Sequence, residues 1–256
     1  MSKLNQARPT RKGLILFARY AFAPNYFKYC GPSSNREIGE ALQNQYDERE
    51  LREILNHFEA AVPYLNLIAH SNHIADLFDP RVVEAYWLGN KLLFNVPAQA
   101  VYEHLVSTVK PRAKTGWRKL ETKIGFGIKP HHSFHVFDVY RTAGFTRDGS
   151  KKMAVIELIN NCMIKWARIA QITNKIQSSN YKWGEIRVES QKIDVKGNKF
   201  IFVPEEKTVQ NIGLDLQEGD LVSLHWGFVC DKISMRQLNN LKFWTKYHLE
   251  ISNIFI

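Results

Sequence analysis

Cysteine is scarce: three residues, Cys30, Cys162 and Cys230, are scattered over 256 positions. An odd number of distant thiols excludes a complete disulfide framework and leaves at least one free, so reduced thiols are expected. Long apolar runs are absent too. Nothing approaches the roughly 20 residues needed to cross a bilayer, and Leu14 to Phe17, following Met1, Lys3, Arg8, Arg11 and Lys12, is too short for the apolar part of a secretory leader. A cytosolic protein without membrane contact is the expectation. There is no P-loop, Rossmann glycine pattern, paired CxxC or nucleophile elbow, which removes the enzyme classes those motifs mark. The lack of a fixed-period repeat disfavours a solenoid.

Acidic residues are in the minority, 25 against 35 Lys and Arg, giving a net charge of +10. This excess suits a polyanion, an acidic partner protein or solubility alone. Lys110, Arg112, Lys114, Arg118, Lys119, Lys123 and Lys129 are offset within their stretch only by Glu121, and such a run ordinarily forms a solvated face. A hydrophobic content of 45% with 12% aromatics is ample for a packed core, and the length suits two modest domains.

The first half reads as helical. Ser34 with Glu37, and Asp47 with Glu50, have capping-box spacing. The second box opens a stripe of Leu51, Ile54, Leu55, Phe58, Val62, Leu65 and Ile68 at helical intervals. Pro63 should kink or split it, because proline lacks an N–H and crowds the preceding turn. Asp79-Pro80 predicts another helix start and Gly89-Asn90 its stop. Pro97 to Lys110 completes the helical set.

Beyond the basic stretch, Phe134 to Tyr140 and Ala154 to Ile159 are β-rich runs flanking Arg147-Asp148-Gly149-Ser150, which predicts a hairpin. Strands are expected over Ile164 to Ile172, Trp183 to Ser190, Lys199 to Val203 and Leu221 to Val229, with turns at Ser178-Ser179-Asn180, Lys196-Gly197-Asn198 and Glu218-Gly219-Asp220. Short strands at such spacing indicate a closed antiparallel barrel or a sandwich. Ser234 to Leu249 should form a terminal helix packed on it. The expected class is α+β: an α-helical domain over 1–122, then a small antiparallel β-barrel domain over 123–256 with a leading hairpin and a closing helix.

The run Glu218-Gly219-Asp220-Leu221-Val222-Ser223-Leu224-His225-Trp226-Gly227-Phe228-Val229-Cys230-Asp231-Lys232-Ile233 resembles the end of HypC/HupF-type hydrogenase-assembly chaperones. Gly219, Asp220, His225, Gly227, Phe228 and Ile233 stand where that family keeps the same residue types. Cys162 followed by Ile169 reproduces the spacing of the family's strand-borne cysteine and its valine or isoleucine. The resemblance covers about residues 160–256. Cys162 is internal here, where the family's cysteine opens the mature chain, and Trp166-Ala167 stands in place of Pro-Gly. The first half, including Phe17 to Phe22 and Tyr29-Cys30-Gly31-Pro32, looks like an uncharacterised bacterial family found beside hydrogenase genes. The resemblance implies a small OB-like barrel and a role in [NiFe]-hydrogenase maturation. Its implied partner is a hydrogenase large subunit or an iron-delivery scaffold, and its implied cargo is iron held transiently by Cys162 with help from His225.

The residues themselves leave alternatives open. Cys162 also fits an ordinary buried thiol, and His225, between Leu224 and Trp226, a core imidazole. His131, His132 and His135 form the densest ligand-like cluster, and imidazoles are common ligands of zinc, nickel and iron. On a strand His131 and His135 would share one face and His132 the other, so a site would need help from Asp138, His70, His73 or Cys30. His70 and His73 equally suit a helix end, and a nucleophilic Cys30 would need a base such as His57 or His73. Two further functions therefore stand beside the assembly factor. One is a metal-dependent enzyme built on the histidine cluster. The other, less favoured, is a nucleic-acid-binding barrel suggested by the charge and by Trp166, Trp183 and Trp226.

Overall fold

The computed structural model describes residues 9–43, 46–111, 117–139, 149–177 and 182–254. The helical half comprises α1 (Pro9–Tyr26), α2 (Asn35–Gln43), α3 (Glu48–Asn56), α4 (Val62–Ser71), α5 (Pro80–Trp87), α6 (Ala98–Thr108) and α7 (Trp117–Ile124), with a 3-10 turn at Lys91–Asn95. A short helix α8 (His132–Phe134) runs into a π-helical turn (His135–Val139) and is followed by α9 (Gly149–Cys162). Strands β1 (Lys165–Gln177), β2 (Lys182–Lys196), β3 (Lys199–Ile212), β4 (Leu221–His225) and β5 (Phe228–Lys232) precede α10 (Met235–Ile254). No described helix is long and apolar enough to cross a membrane.

The α+β class and the barrel expected from the sequence are present, and local signals explain the helix limits. Asp47 accepts from the backbone N–H groups of Arg49 and Glu50 at the start of α3. The stripe from Leu51 to Ile68 is divided between α3 and α4, with Pro63 in the first turn of α4, where its missing N–H costs least. Asp79 caps α5 ahead of Pro80, and Gly89 ends it with φ +81°. Replacing Asp47 by alanine removes the side-chain acceptor from two orphan N–H groups. Stability should fall by about 1 kcal/mol and Tm by about 2–4 °C. An unchanged thermal midpoint would mean that α3 is held by packing alone.

The predicted leading hairpin is not there. Phe134 to Val139 is helical and π-helical, and the run from Ala154 to Ile159 lies inside α9. Phe134, Val136, Phe137 and Asp138 are all essentially inaccessible. With these four side chains buried the segment carries no clear amphipathic period, so an apolar run of this length reads equally as a strand. In α9 tertiary contact overrides β-propensity: Asn160 clamps β2 through both the N–H and the carbonyl of Ile193. Arg112, Lys114, the Arg147-Asp148 turn, Tyr140, the Ser178-Ser179-Asn180 turn and the side chain of Trp183 lie outside the described residues.

The five strands close in the order β1-β2-β3-β5-β4. All neighbours are antiparallel except β3 and β5, which pair in parallel at Gln210 with Phe228 and Asn211 with Val229. The predicted strand from Leu221 to Val229 is in fact most of a hairpin, turning at Trp226-Gly227. Both turn residues are left-handed, φ +52° and +78°, the geometry that a two-residue hairpin needs. Alternation sorts the side chains. Ala167, Ile169, Ile186, Val188, Val222 and Leu224 fill the barrel, whereas Ser223 and His225, the intervening residues of β4, point outward to α1. There the Tyr20 hydroxyl and Ser223 Oγ lie 2.7 Å apart, and Arg19 pairs with Asp231 of β5 at 2.7 Å. The larger apolar core runs from α1 and α5 through Cys162, Trp226 and Phe228 to Trp244 of α10, so barrel and helices share one interior.

Candidate functional site

Where α1, α5, α8, the end of α9 and the β4–β5 turn meet, they enclose a cavity of about 340 Å³. Cys162 and His225 both line it, as do His132, His135 and Cys30. Cys162 is placed by helix termination rather than by a strand: it is the last residue of α9, three positions before β1. This corrects the strand-borne placement implied by the resemblance. His225 is placed by the pleat of β4 and held by α1, because its Nδ1–H donates to the Tyr20 carbonyl at 2.7 Å. A carbonyl only accepts, so the proton sits on Nδ1 and the Nε2 lone pair is left facing inward. That atom is buried and makes no hydrogen bond of ordinary geometry, although the Cys162 backbone lies close enough to act on the ring.

The helical course of α8 redistributes the histidine cluster. Residues three apart share a helix face, so His132 and His135 lie together, ring centroids 6.1 Å apart, and His131 turns away. The expected strand pairing of His131 with His135 is thereby overturned. His132 approaches His225 edge to face at 5.3 Å, and Trp87 packs against both rings, at 4.6 and 5.7 Å. His132 Nε2–H donates to the Cys162 carbonyl at 2.9 Å, and its Nδ1 accepts from the Tyr86 hydroxyl at 3.1 Å.

His131 belongs to a different network. The Lys129 N–H donates to His248 Nε2 at 3.2 Å, His248 Nδ1–H to Ser133 Oγ at 2.8 Å, and the Ser133 hydroxyl to His131 Nδ1 at 2.7 Å. Asp138, another suggested helper, is buried in an ion pair with Lys123. His70 and His73 are exposed at the end of α4, where His73 is left-handed with φ +54° and its N–H bonds the His70 carbonyl. Neither reaches the cavity. His57 is exposed and bonds the carbonyl of Glu53, which leaves Cys30 without the proposed base.

The cavity is short of charge. Burial pushes the His225 imidazole down to about 4 and His135 to about 4. His132 falls well below the usual range, first through burial and then through its neighbours His225 and His135. Burial pushes the Cys162 thiol up to about 12, opposed by the Trp226 indole N–H. That N–H makes no hydrogen bond of ordinary geometry, so its influence is that of a nearby dipole. The Cys30 thiol also rises, to about 11. Neutral imidazoles facing protonated thiols do not make a thiolate nucleophile at neutral pH. They do provide lone pairs and an exchangeable S–H. Among the described residues, one group of three or more potential ligands converges: His132, Cys162 and His225, whose ligand atoms lie within 4.8 Å of one another.

The sequence profile of a family described as a family of unknown function (DUF6390) matches residues 9–255. The chain belongs to the DUF6390 family. No curated protein and no solved structure matches it. The DUF6390 match spans helical half and barrel together, just as the cavity draws on both. Sequence reading missed Tyr20, Tyr86, Trp87 and His104 as parts of the site. Aromatics at helical spacing signal a core, and an isolated His104 carried no pattern.

Proposed function

We propose that this protein is an accessory factor of [NiFe]-hydrogenase maturation, a cytoplasmic chaperone that docks on a hydrogenase large subunit or an iron-delivery scaffold through its barrel. It would hold an iron species in transit at Cys162 and His225. The observation that carries this reading is the meeting of that thiol and that imidazole in one cavity, although 63 positions separate them in sequence. A thiolate and a neutral imidazole suit a soft iron centre. The HypC-like run from Gly219 to Ile233 supplies the imidazole and the turn beside it. Cys162 is 8% exposed, so transfer takes place through the cavity rather than at an open surface. Tyr29, 59% exposed, stands over the cavity with its ring 4.2 Å from Trp226.

Trp166 and Trp226, two of the three rings behind the nucleic-acid reading, are buried, whereas base stacking needs exposed rings. Co-purification with tagged hydrogenase large subunit and maturation scaffold is the test, together with hydrogenase activity in cells relying on the variant. Cys162→Ala should retain the barrel and its docking yet lose nearly all maturation. Full maturation by Cys162→Ala would remove the thiol from the mechanism, and no association with any hydrogenase component would remove the function.

A further inference from the structure

The geometry points to a metal centre held wholly within this chain: His132, Cys162 and His225 as three ligands of a four-coordinate divalent ion of the zinc, cobalt or iron(II) class, with the fourth position open to the cavity. This deepens the reading above and rests on it for the role of the pocket. It adds a ligand from the helical half and makes the chain sufficient to bind metal without a scaffold protein.

His225 is preorganised as a ligand. Metal-bound imidazoles characteristically donate their other N–H to a carbonyl or carboxylate, which fixes tautomer and ring plane; the Tyr20 carbonyl fills that role at 2.7 Å. The result is an Nε2 lone pair, in a residue only 2% exposed, that has no hydrogen bond of ordinary geometry and lies beside the Cys162 backbone. Native structures seldom leave a buried polar atom unsatisfied without a reason.

The spacing is also suitable. Around a tetrahedral ion with bonds of about 2.0–2.3 Å, neighbouring N and S ligands stand roughly 3.3–3.6 Å apart. Ligand atoms that already lie within 4.8 Å of one another reach those separations by small side-chain rotations. His132 gives up one of its two present bonds, to Tyr86 or to the Cys162 carbonyl, in exchange for the metal. The thiol releases its proton to solvent as the thiolate ligates, the usual coupling of metal binding to deprotonation. Three protein ligands beside a free volume define the open kind of centre rather than the closed structural kind. The cavity of about 340 Å³ is far larger than an ion, and its remaining walls include the rings of Phe58, Tyr64 and Trp87. The fourth ligand is therefore a small exogenous molecule with an apolar flank.

Cobalt(II) provides the probe, added anaerobically with reductant to the full chain purified without a histidine tag. One cobalt per chain is expected, with a thiolate-to-cobalt charge-transfer band and the intense visible absorption of a four-coordinate ion. Cys162→Ser preserves side-chain size and should abolish the charge-transfer band. His132→Gln and His225→Gln should each weaken binding by more than the about 10–100-fold typical of outer-shell losses. His135→Gln, in the same cavity but outside the ligand set, should leave stoichiometry and spectrum unchanged. Circular dichroism verifies the fold of each variant, and the near-isosteric serine variant decides if a histidine variant unfolds. Wild-type protein that takes up no cobalt, or an unaltered band in Cys162→Ser, overturns the centre. Unchanged affinity in folded His132→Gln removes the third ligand while leaving the assembly role intact. A normal cobalt centre in a protein whose loss leaves hydrogenase activity unaffected ends the assembly role and leaves the centre standing.

Discussion

Lowering the pH from 7 to 5 is expected to remove about 4 kcal/mol of the metal-free protein's stability through His225 and His248 alone. Both imidazoles are buried, at 2% and 0% exposure, and burial holds them at about 4 and about 3. In the unfolded chain they titrate near 6.5. Above that pH both states are neutral and the two residues contribute no pH dependence. Below it the unfolded chain takes up protons that the fold refuses, so each histidine costs about 1.4 kcal/mol per pH unit until its folded value is reached. His131 and His132, also held well below the usual range by burial, act in the same direction. Domains of this kind are stable by about 5–15 kcal/mol, so unfolding should set in between pH 6 and 4.5, before most carboxylates titrate. Urea midpoints at pH 7.5, 6 and 5 measure this directly. A midpoint that stays level from 7.5 to 5 would show that the interior accepts charged imidazoles.

Gly13→Ala should be the most damaging single methyl in the helical half, costing at least about 3 kcal/mol, the upper range for overpacking. A Cβ at this position of α1 would stand 1.6 Å from the Phe78 carbonyl oxygen and 2.8 Å from its carbon. These are backbone atoms, so no side chain can rotate aside; α1 must lift off the turn that caps α5. Tyr20 lies two turns further along α1, and its carbonyl orients His225, so displacement propagates to the cavity. Urea unfolding of Gly13→Ala tests the contact, and a loss under about 0.5 kcal/mol would mean that α1 and α5 pack less closely than described. Gly89 is a milder counterpart. Its neighbour is the ring of Trp244 at 2.1 Å, a side chain, although φ +81° also disfavours any replacement there.

The legible parts of the fold were those fixed by local chemistry. Asp47, Asp79 with Pro80, Pro63 and Gly89 mark helix limits through hydrogen bonds and steric rules that act within a few residues. The barrel was legible through strand alternation and turn residues, apart from the break at Trp226-Gly227, since tryptophan rarely takes a left-handed conformation. Phe134 to Asp138 was misread because the burial of Phe134, Val136, Phe137 and Asp138 erases periodicity, and that error carried His132 to the wrong face. Cys162 and His225 were singled out together through a resemblance to HypC/HupF-type chaperones, and they line one cavity. The aromatic wall from α5, Tyr86 and Trp87, was not, because its part in the site depends on how the halves pack, which no local pattern encodes.

The junction that forms the cavity also dictates when it can exist. His132 and Cys162 are made before the barrel, and His225 is delivered by its last hairpin, ahead of α10, which packs against α8. A chain that ends before that hairpin carries Cys30, His132, His135 and Cys162 but lacks His225 and the turn that completes the cavity beside them. On the metal-centre proposal, capture of the ion waits until synthesis has passed the closing strands.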